Sequence, residues 1–183
     1  MNRCSWCLKD EIYMDYHDNV WGKPVYDDRK LFEYLNLEGA QAGLNWYNVL
    51  IRISSYEKAF DGWNIDKIRK YTDKDRLRLV NDKGIIRNRL KINSVITNAI
   101  AYHELVKEKS LTDFLWDYVN GKPIVNKPKS LDNVPAQTEL SQQISKDLKK
   151  RGFKFVGPTI IYAFMQAVGM VNDHVINCDF RQS

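Results

Sequence analysis

Apolar positions recur along this chain at intervals of three and four rather than two, so the elements it predicts are helices. After Asp27, a side chain suited to an N-cap, Leu31, Tyr34, Leu35 and Glu38 fall on one stripe, which puts a carboxylate on or near the inward face of a long helix. Gly39 and Gly43 bracket the expected break. Trp46, Val49, Leu50 and Ile53 then mark a second helix, followed by an Asp61-Gly62 turn. Thr72 with Asp75 reads as a capping box opening a helix through Leu77 and Val80 that stops at Gly84. The longest predicted helix covers 86–106, with Leu90, Ile92, Val95, Ile96, Ala99 and Ile100 as a broad apolar face and His103 as a polar group at its end. A short helix follows Thr112 and stops at Gly121. Another resumes near Thr138, turns Leu140, Ile144 and Leu148 inward and gathers Lys146, Lys149, Lys150 and Arg151 at its end, where cations complement the helix dipole. Between these two, residues 121–137 carry Pro123, Pro128 and Pro135 and read as the long loop of the chain. No alternation lasts long enough to need a sheet. The expected class is all-α, arranged as a single compact domain over 1–183 or as two helical lobes with a pocket between them.

Composition narrows the function classes. With 44% hydrophobic and 28% charged residues, the 183-residue chain lies within ordinary globular usage and outside the signature of disorder. No apolar stretch approaches the ~18 residues of a membrane helix, and the first residues lack the apolar core of a signal peptide. A cytoplasmic protein with no membrane partner is expected. The net charge of +5 favours acidic partners only mildly. Three cysteines, Cys4, Cys7 and Cys178, cannot all pair internally, and in a reducing compartment they suggest a metal before a disulfide.

Three constellations carry chemistry. His174 and Cys178 stand four apart and share a side of a helical turn, while Cys4 and His17 supply a second pair from the opposite terminus. Together they make a Cys₂His₂ shell for structural zinc that would staple the chain ends, although Cys4-x-x-Cys7 is also a ligand spacing and leaves Cys7 as an alternative to His17. The second constellation, Gly152 through Thr159, joins two helical patterns with a glycine on either side of a tight turn and Pro-Thr opening the following helix. Exposed backbone N–H groups near a helix N-terminus bind phosphate, and this is a form of the helix-hairpin-helix motif, with Lys154 adding charge after the basic run 149–151. The third is Glu38, close in sequence to Trp46 and set against the aromatics Trp6, Tyr13, Tyr16 and Trp21. Ring faces and a carboxylate act together on a flat cation.

The runs Tyr16-His17-Asp18-Asn19 to Trp21-Gly22, Leu37-Glu38-Gly39 through Gln41-Ala42-Gly43-Leu44, 151–157 and Asn172-Asp173-His174 closely resemble the 3-methyladenine DNA glycosylase I family, and they span essentially the whole chain. Asn45 stands where that family usually has Ser. The resemblance implies a monofunctional base-excision repair enzyme of the helix-hairpin-helix superfamily, expected as a monomer in the bacterial cytosol. It would hydrolyse the N-glycosidic bond of 3-methyladenine flipped out of double-stranded alkylated DNA, without lyase activity. Carried over by position, one structural zinc per chain is held by Cys4, His17, His174 and Cys178. The base sits among Trp6, Tyr16, Trp21, Glu38 and Trp46, with Glu38 and Tyr16 as the catalytic pair. Gly43 and Leu44 plug the gap in the duplex, and Gly152, Lys154, Gly157 and Thr159 meet the DNA backbone. Asp173 reads as a structural side chain. The competing reading is a non-enzymatic zinc-stabilised DNA-binding module, which would need no lined pocket; a catalytic zinc is disfavoured because four protein ligands leave no open position.

Overall fold

The chain, seen here as a computed structural model, is described over residues 1–181. Its helices are α1 (Glu11–Asn19), α2 (Asp28–Gln41), α3 (Trp46–Leu50), α4 (Ile53–Ala59), α5 (Ile65–Ile68), α6 (Asp73–Asn81), α7 (Arg89–Leu105), α8 (Leu111–Trp116), α9 (Glu139–Lys150) and α10 (Pro158–Ala167). Capping residues fix most of the starts. The side chains of Asp10, Asp27, Asn45, Asn88 and Ser110 accept from the first turns of α1, α2, α3, α7 and α8, and Thr72 and Thr138 close capping boxes at α6 and α9. Helix α8 begins at Leu111, one residue before Thr112, and the Thr112 hydroxyl donates to Asp28 at 2.6 Å.

Helix α2 is the axis of the fold. Every residue from Leu31 to Ala40 is buried, with α3, α7, α8 and α10 packed around it. A helix buried all round carries its polar groups inside as well, so Glu33, Asn36 and Glu38 are each under 7% exposed. Glu33 is paired at 2.8 Å with Lys30. Asn36 donates to the Phe32 carbonyl at 2.8 Å. Glu38 has no partner among the described residues, which singles it out.

Several expectations are corrected. The stretch after Gly43 is two helices, because the chain breaks at Ile51–Arg52 between α3 and α4. On α7, Leu90 and Ile100 point outward, 71% and 51% exposed, so the buried stripe is narrower than the apolar positions suggested. The proline-rich segment 121–137 is tied down: β1 (Ile124–Val125) pairs in parallel with β2 (Val171–Asn172). The Ile176 N–H donates to the Pro128 carbonyl at 3.0 Å, and a turn of 3₁₀ helix follows at Leu131–Asn133. That short ladder holds the segment against the C-terminal residues. Gly169, with φ +70°, lets the turn after α10 pass the backbone of Lys23; a Cβ there would lie 2.3 Å from a backbone carbon.

Candidate active site and metal group

Two turns of chain and two helices bring the aromatic residues together. The 3₁₀ turn Ser5–Cys7 carries Trp6, α1 carries Tyr13 and Tyr16, the turn after α1 carries Trp21, and Trp46 opens α3. The Trp6 ring meets Trp21 edge-on at 5.1 Å and Tyr13 at 5.6 Å, and Tyr16 lies 5.6 Å from Trp46. With Glu38, these rings wall a cavity of about 340 Å³. It is also lined by Leu131 and Val134 from the proline-rich segment and by Ala163 and Gln166 of α10. Aromatics close to Glu38 were legible from composition and position. Leu131 and Val134 were not, because the β1–β2 pairing that ties down their segment is not written in local sequence; Gln41, one helical turn after Glu38, lines the cavity too.

Three polar groups on residues that line this space have no protein partner among the described residues. The Trp46 Nε1 is buried with no acceptor, and among the described residues nothing pairs with the Tyr16 hydroxyl or the Glu38 carboxyl. Burial pushes the Glu38 carboxyl up to about 8, so at neutral pH it is mostly protonated. Burial also raises Tyr16, and the neighbouring Glu38 raises it further, keeping the phenol neutral. Unpaired polar groups inside a folded core are costly unless a ligand meets them.

Directly behind the Trp6 and Trp21 rings lies the second group. Ligand atoms of Cys4, His17 and Cys178 all fall within 4.8 Å of one another, buried, with His17 Nε2 3.5 Å from Cys178 Sγ. The His17 Nδ1 is 2.8 Å from Asp18, which is itself held by Arg3, so the ring offers its Nε2 inward. His174 is arranged alike: Nδ1 is 2.9 Å from Asn172 Oδ1, and Nε2 is buried without a partner. The two imidazoles lie 4.8 Å apart. Cys7 is turned away, its thiol donating to the Cys4 carbonyl at 3.1 Å. The structure thus brings Cys4, His17 and Cys178 together as a group whose thiol and imidazole donors could hold a metal ion, while His174 stands beside that group and not within it. Gly22 (φ +77°) belongs to the same construction, since a Cβ there would stand 2.9 Å from the His174 ring.

The segments expected at DNA lie on the surface. The turn after α2 is closed by the Leu44 N–H to Gln41 carbonyl bond at 2.7 Å and exposes Gly43 and Leu44. Between α9 and α10, Gly152 (φ +91°) reverses the chain, Phe153 and Val156 anchor the hairpin in the core, and Gly157 caps α10. Lys154 and Thr159 are exposed. No acceptor among the described residues takes the N–H of Phe155, Val156 or Gly157. Asp173 accepts from Asn126, Tyr162 and Gln166 at 2.6–2.8 Å, a fully bonded carboxylate buried within the fold.

A mostly helical frame holding a ring-walled, acid-bearing cavity, with an exposed hairpin between α9 and α10, is the architecture of a known family of enzymes. The chain belongs to the methyladenine glycosylase family, whose model matches residues 6–182. It is 47% identical to a DNA-3-methyladenine glycosylase of Haemophilus influenzae, over 99% of this chain and 98% of that protein. To DNA-3-methyladenine glycosylase 1 of Escherichia coli it is 48% identical, over 97% of this chain and 96% of that one. The solved structure of 3-methyladenine DNA glycosylase I from Staphylococcus aureus, described for its recognition of 3-methyladenine, superposes with a TM-score of 0.96 at 36% identity, covering 100% of this chain and 98% of that one.

Proposed function

We infer that this chain is a DNA-3-methyladenine glycosylase of base-excision repair, which hydrolyses the bond between 3-methyladenine and deoxyribose in alkylated duplex DNA. The observation that carries the reading is Glu38: a fully buried carboxyl without a protein partner, at the wall of a cavity lined with indole and phenol rings, in a chain of this family.

Methylation at N3 makes adenine a cation, weakens its pairing and prepares the glycosidic bond to break. Flipping it out costs a few kcal/mol, less for a damaged base. In the cavity, the faces of Trp46 and Tyr16 stabilise the positive ring. Beside the cation the Glu38 carboxyl releases its proton to solvent, and the resulting carboxylate pairs with the base edge. Tyr16 supplies a neutral hydroxyl to that edge. Water then attacks C1′, the N9–C1′ bond breaks, and its electron pair returns to the ring, so neutral 3-methyladenine leaves and the water's proton passes to solvent. Neutral adenine lacks this leaving-group advantage and gains little from the carboxyl. Trp6 and Trp21 complete the pocket. Lys154 lies on the phosphate side, and no lyase step follows.

Leu44 enters the gap left in the duplex, with Gly43 giving its turn the left-handed φ of +73°. The α9–hairpin–α10 unit is the helix-hairpin-helix element, with Gly152, Lys154, Gly157 and Thr159 against a phosphate backbone that the free N–H groups can bind. Cys4, His17, His174 and Cys178 hold one zinc. Four protein ligands leave no position open, so the ion supplies structure alone, locking both termini beneath Trp6 and Trp21. The enzyme acts as a single-domain monomer in the bacterial cytosol.

Incubation with dimethyl-sulfate-treated duplex DNA tests the reading. Chromatography is expected to show free 3-methyladenine accumulating while denaturing gels show the strand unnicked until the abasic sites are cleaved chemically. Bound DNA without base release would return the protein to the class of binding modules.

A further inference from the structure

Helix α7 lines no part of the cavity, yet one polar stripe on it reaches both the end of α2 and the hairpin. Lys91, Ser94 and Asn98 recur at i, i+3 and i+7 and share a side of the helix. Half-buried Lys91 donates from Nζ to the carbonyls of Ala40 at 2.8 Å and Ala42 at 2.6 Å, the two residues that flank Gln41 where α2 ends and the Gly43–Leu44 turn begins. An ammonium on two C-terminal carbonyls satisfies groups the helix leaves open and fixes the direction in which the chain departs. Two turns further along, Asn98 is 1% exposed and grips the hairpin: its Oδ1 accepts the Lys154 N–H at 2.7 Å, and its Nδ2 donates to the Lys154 carbonyl at 3.1 Å. The same Nδ2 donates to Asn36 Oδ1 of α2 at 2.8 Å. Ser94, between them, donates to the Lys91 carbonyl at 2.6 Å. The hairpin also abuts α2 directly, where a Cβ on Gly39 would come within 3.2 Å of Phe155.

We propose that Lys91 and Asn98 are positioning residues that hold the Leu44 wedge and the phosphate-binding hairpin at a fixed separation along α7, so that gripping the backbone and filling the vacated base position occur as one event. The rigid helix between them spans about 10 Å. Neither residue reaches the base. The inference rests on the wedge and hairpin roles given above.

The test separates duplex engagement from base binding. Lys91→Met and Asn98→Ala are each expected to weaken affinity for a duplex holding an abasic-site analogue by about tenfold or more, while binding free 3-methyladenine, read by tryptophan fluorescence, within about twofold of wild type. Lys91→Arg restores duplex affinity, and the double variant loses less than the product of the single losses, because the two residues serve one unit. Leu44→Ala is measured alongside. Single variants that bind the duplex like wild type while Leu44→Ala weakens it would overturn the inference. So would a parallel loss of free-base binding, which marks a merely structural role. Wild-type affinity in Leu44→Ala itself would overturn the wedge reading and this inference with it.

Discussion

Glu38→Gln is expected to lower kcat/KM for 3-methyladenine release at pH 8 by about a hundredfold, the scale of one charge-assisted hydrogen bond realised in the transition state. The substitution keeps the shape and removes the charge. In the wild type the free carboxyl titrates at about 8 because burial penalises the anion, so kcat/KM should climb with pH toward a plateau beyond that value. In Glu38→Gln the climb disappears. Stability moves the other way. An acid raised from its ordinary 4.5 to about 8 binds its proton more tightly when folded, so its contribution is fully present below pH 4.5 and lost as pH rises through 8. The variant should therefore melt above wild type at pH 9, by up to roughly 5 kcal/mol if the cavity admits no water. Base release and its pH profile measured in parallel with thermal melts check both halves. Release by the variant at the wild-type rate removes Glu38 from the mechanism.

The metal group has the next largest expected effect. Cys178→Ser should bind less than stoichiometric zinc and lose about 3–5 kcal/mol, or roughly 10 °C in Tm for a chain of this size. Free-base binding should fall with it, because His17 and His174 lie against Trp6 and Trp21, with ring centroids 5.4 Å and 4.6 Å apart. Cys7→Ser serves as the control: its thiol engages the Cys4 carbonyl, so metal content and base binding should hold. Elemental analysis with calorimetry reads both variants. A metal-free wild type, or a Cys178→Ser protein melting with the wild type, contradicts the zinc assignment.

Much of this architecture was legible in the sequence wherever the signal was local. Capping side chains at Asp27 and Thr72 announced α2 and α6 because a cap is written within four residues, and the apolar period from Leu140 announced α9. Glu38 stood out because a carboxylate on an apolar stripe is costly and asks for a reason. Gly152 and Gly157 framed the hairpin because only certain backbones turn so tightly. What escaped depends on pairings distant in the chain. The two-residue β1–β2 ladder carries no periodicity, yet it ties down the segment of Leu131 and Val134, which line the cavity. Leu90 and Ile100 looked like core residues of α7, and only the neighbours of that helix decide which side is covered. Asn98 and Lys91 read as ordinary polar residues, since their partners, the Lys154 backbone and the Ala40 and Ala42 carbonyls, lie 49 to 56 residues away.

The central claim is that the cavity recognises the alkylated base itself and not merely the DNA around it. Titrating the wild-type protein with free 3-methyladenine and with adenine, following the indole fluorescence of the pocket, tests it most directly. Saturable quenching by 3-methyladenine at a Kd at least about a hundredfold below that of adenine is the predicted result; equal affinity for the two bases, or no binding of either, would contradict it.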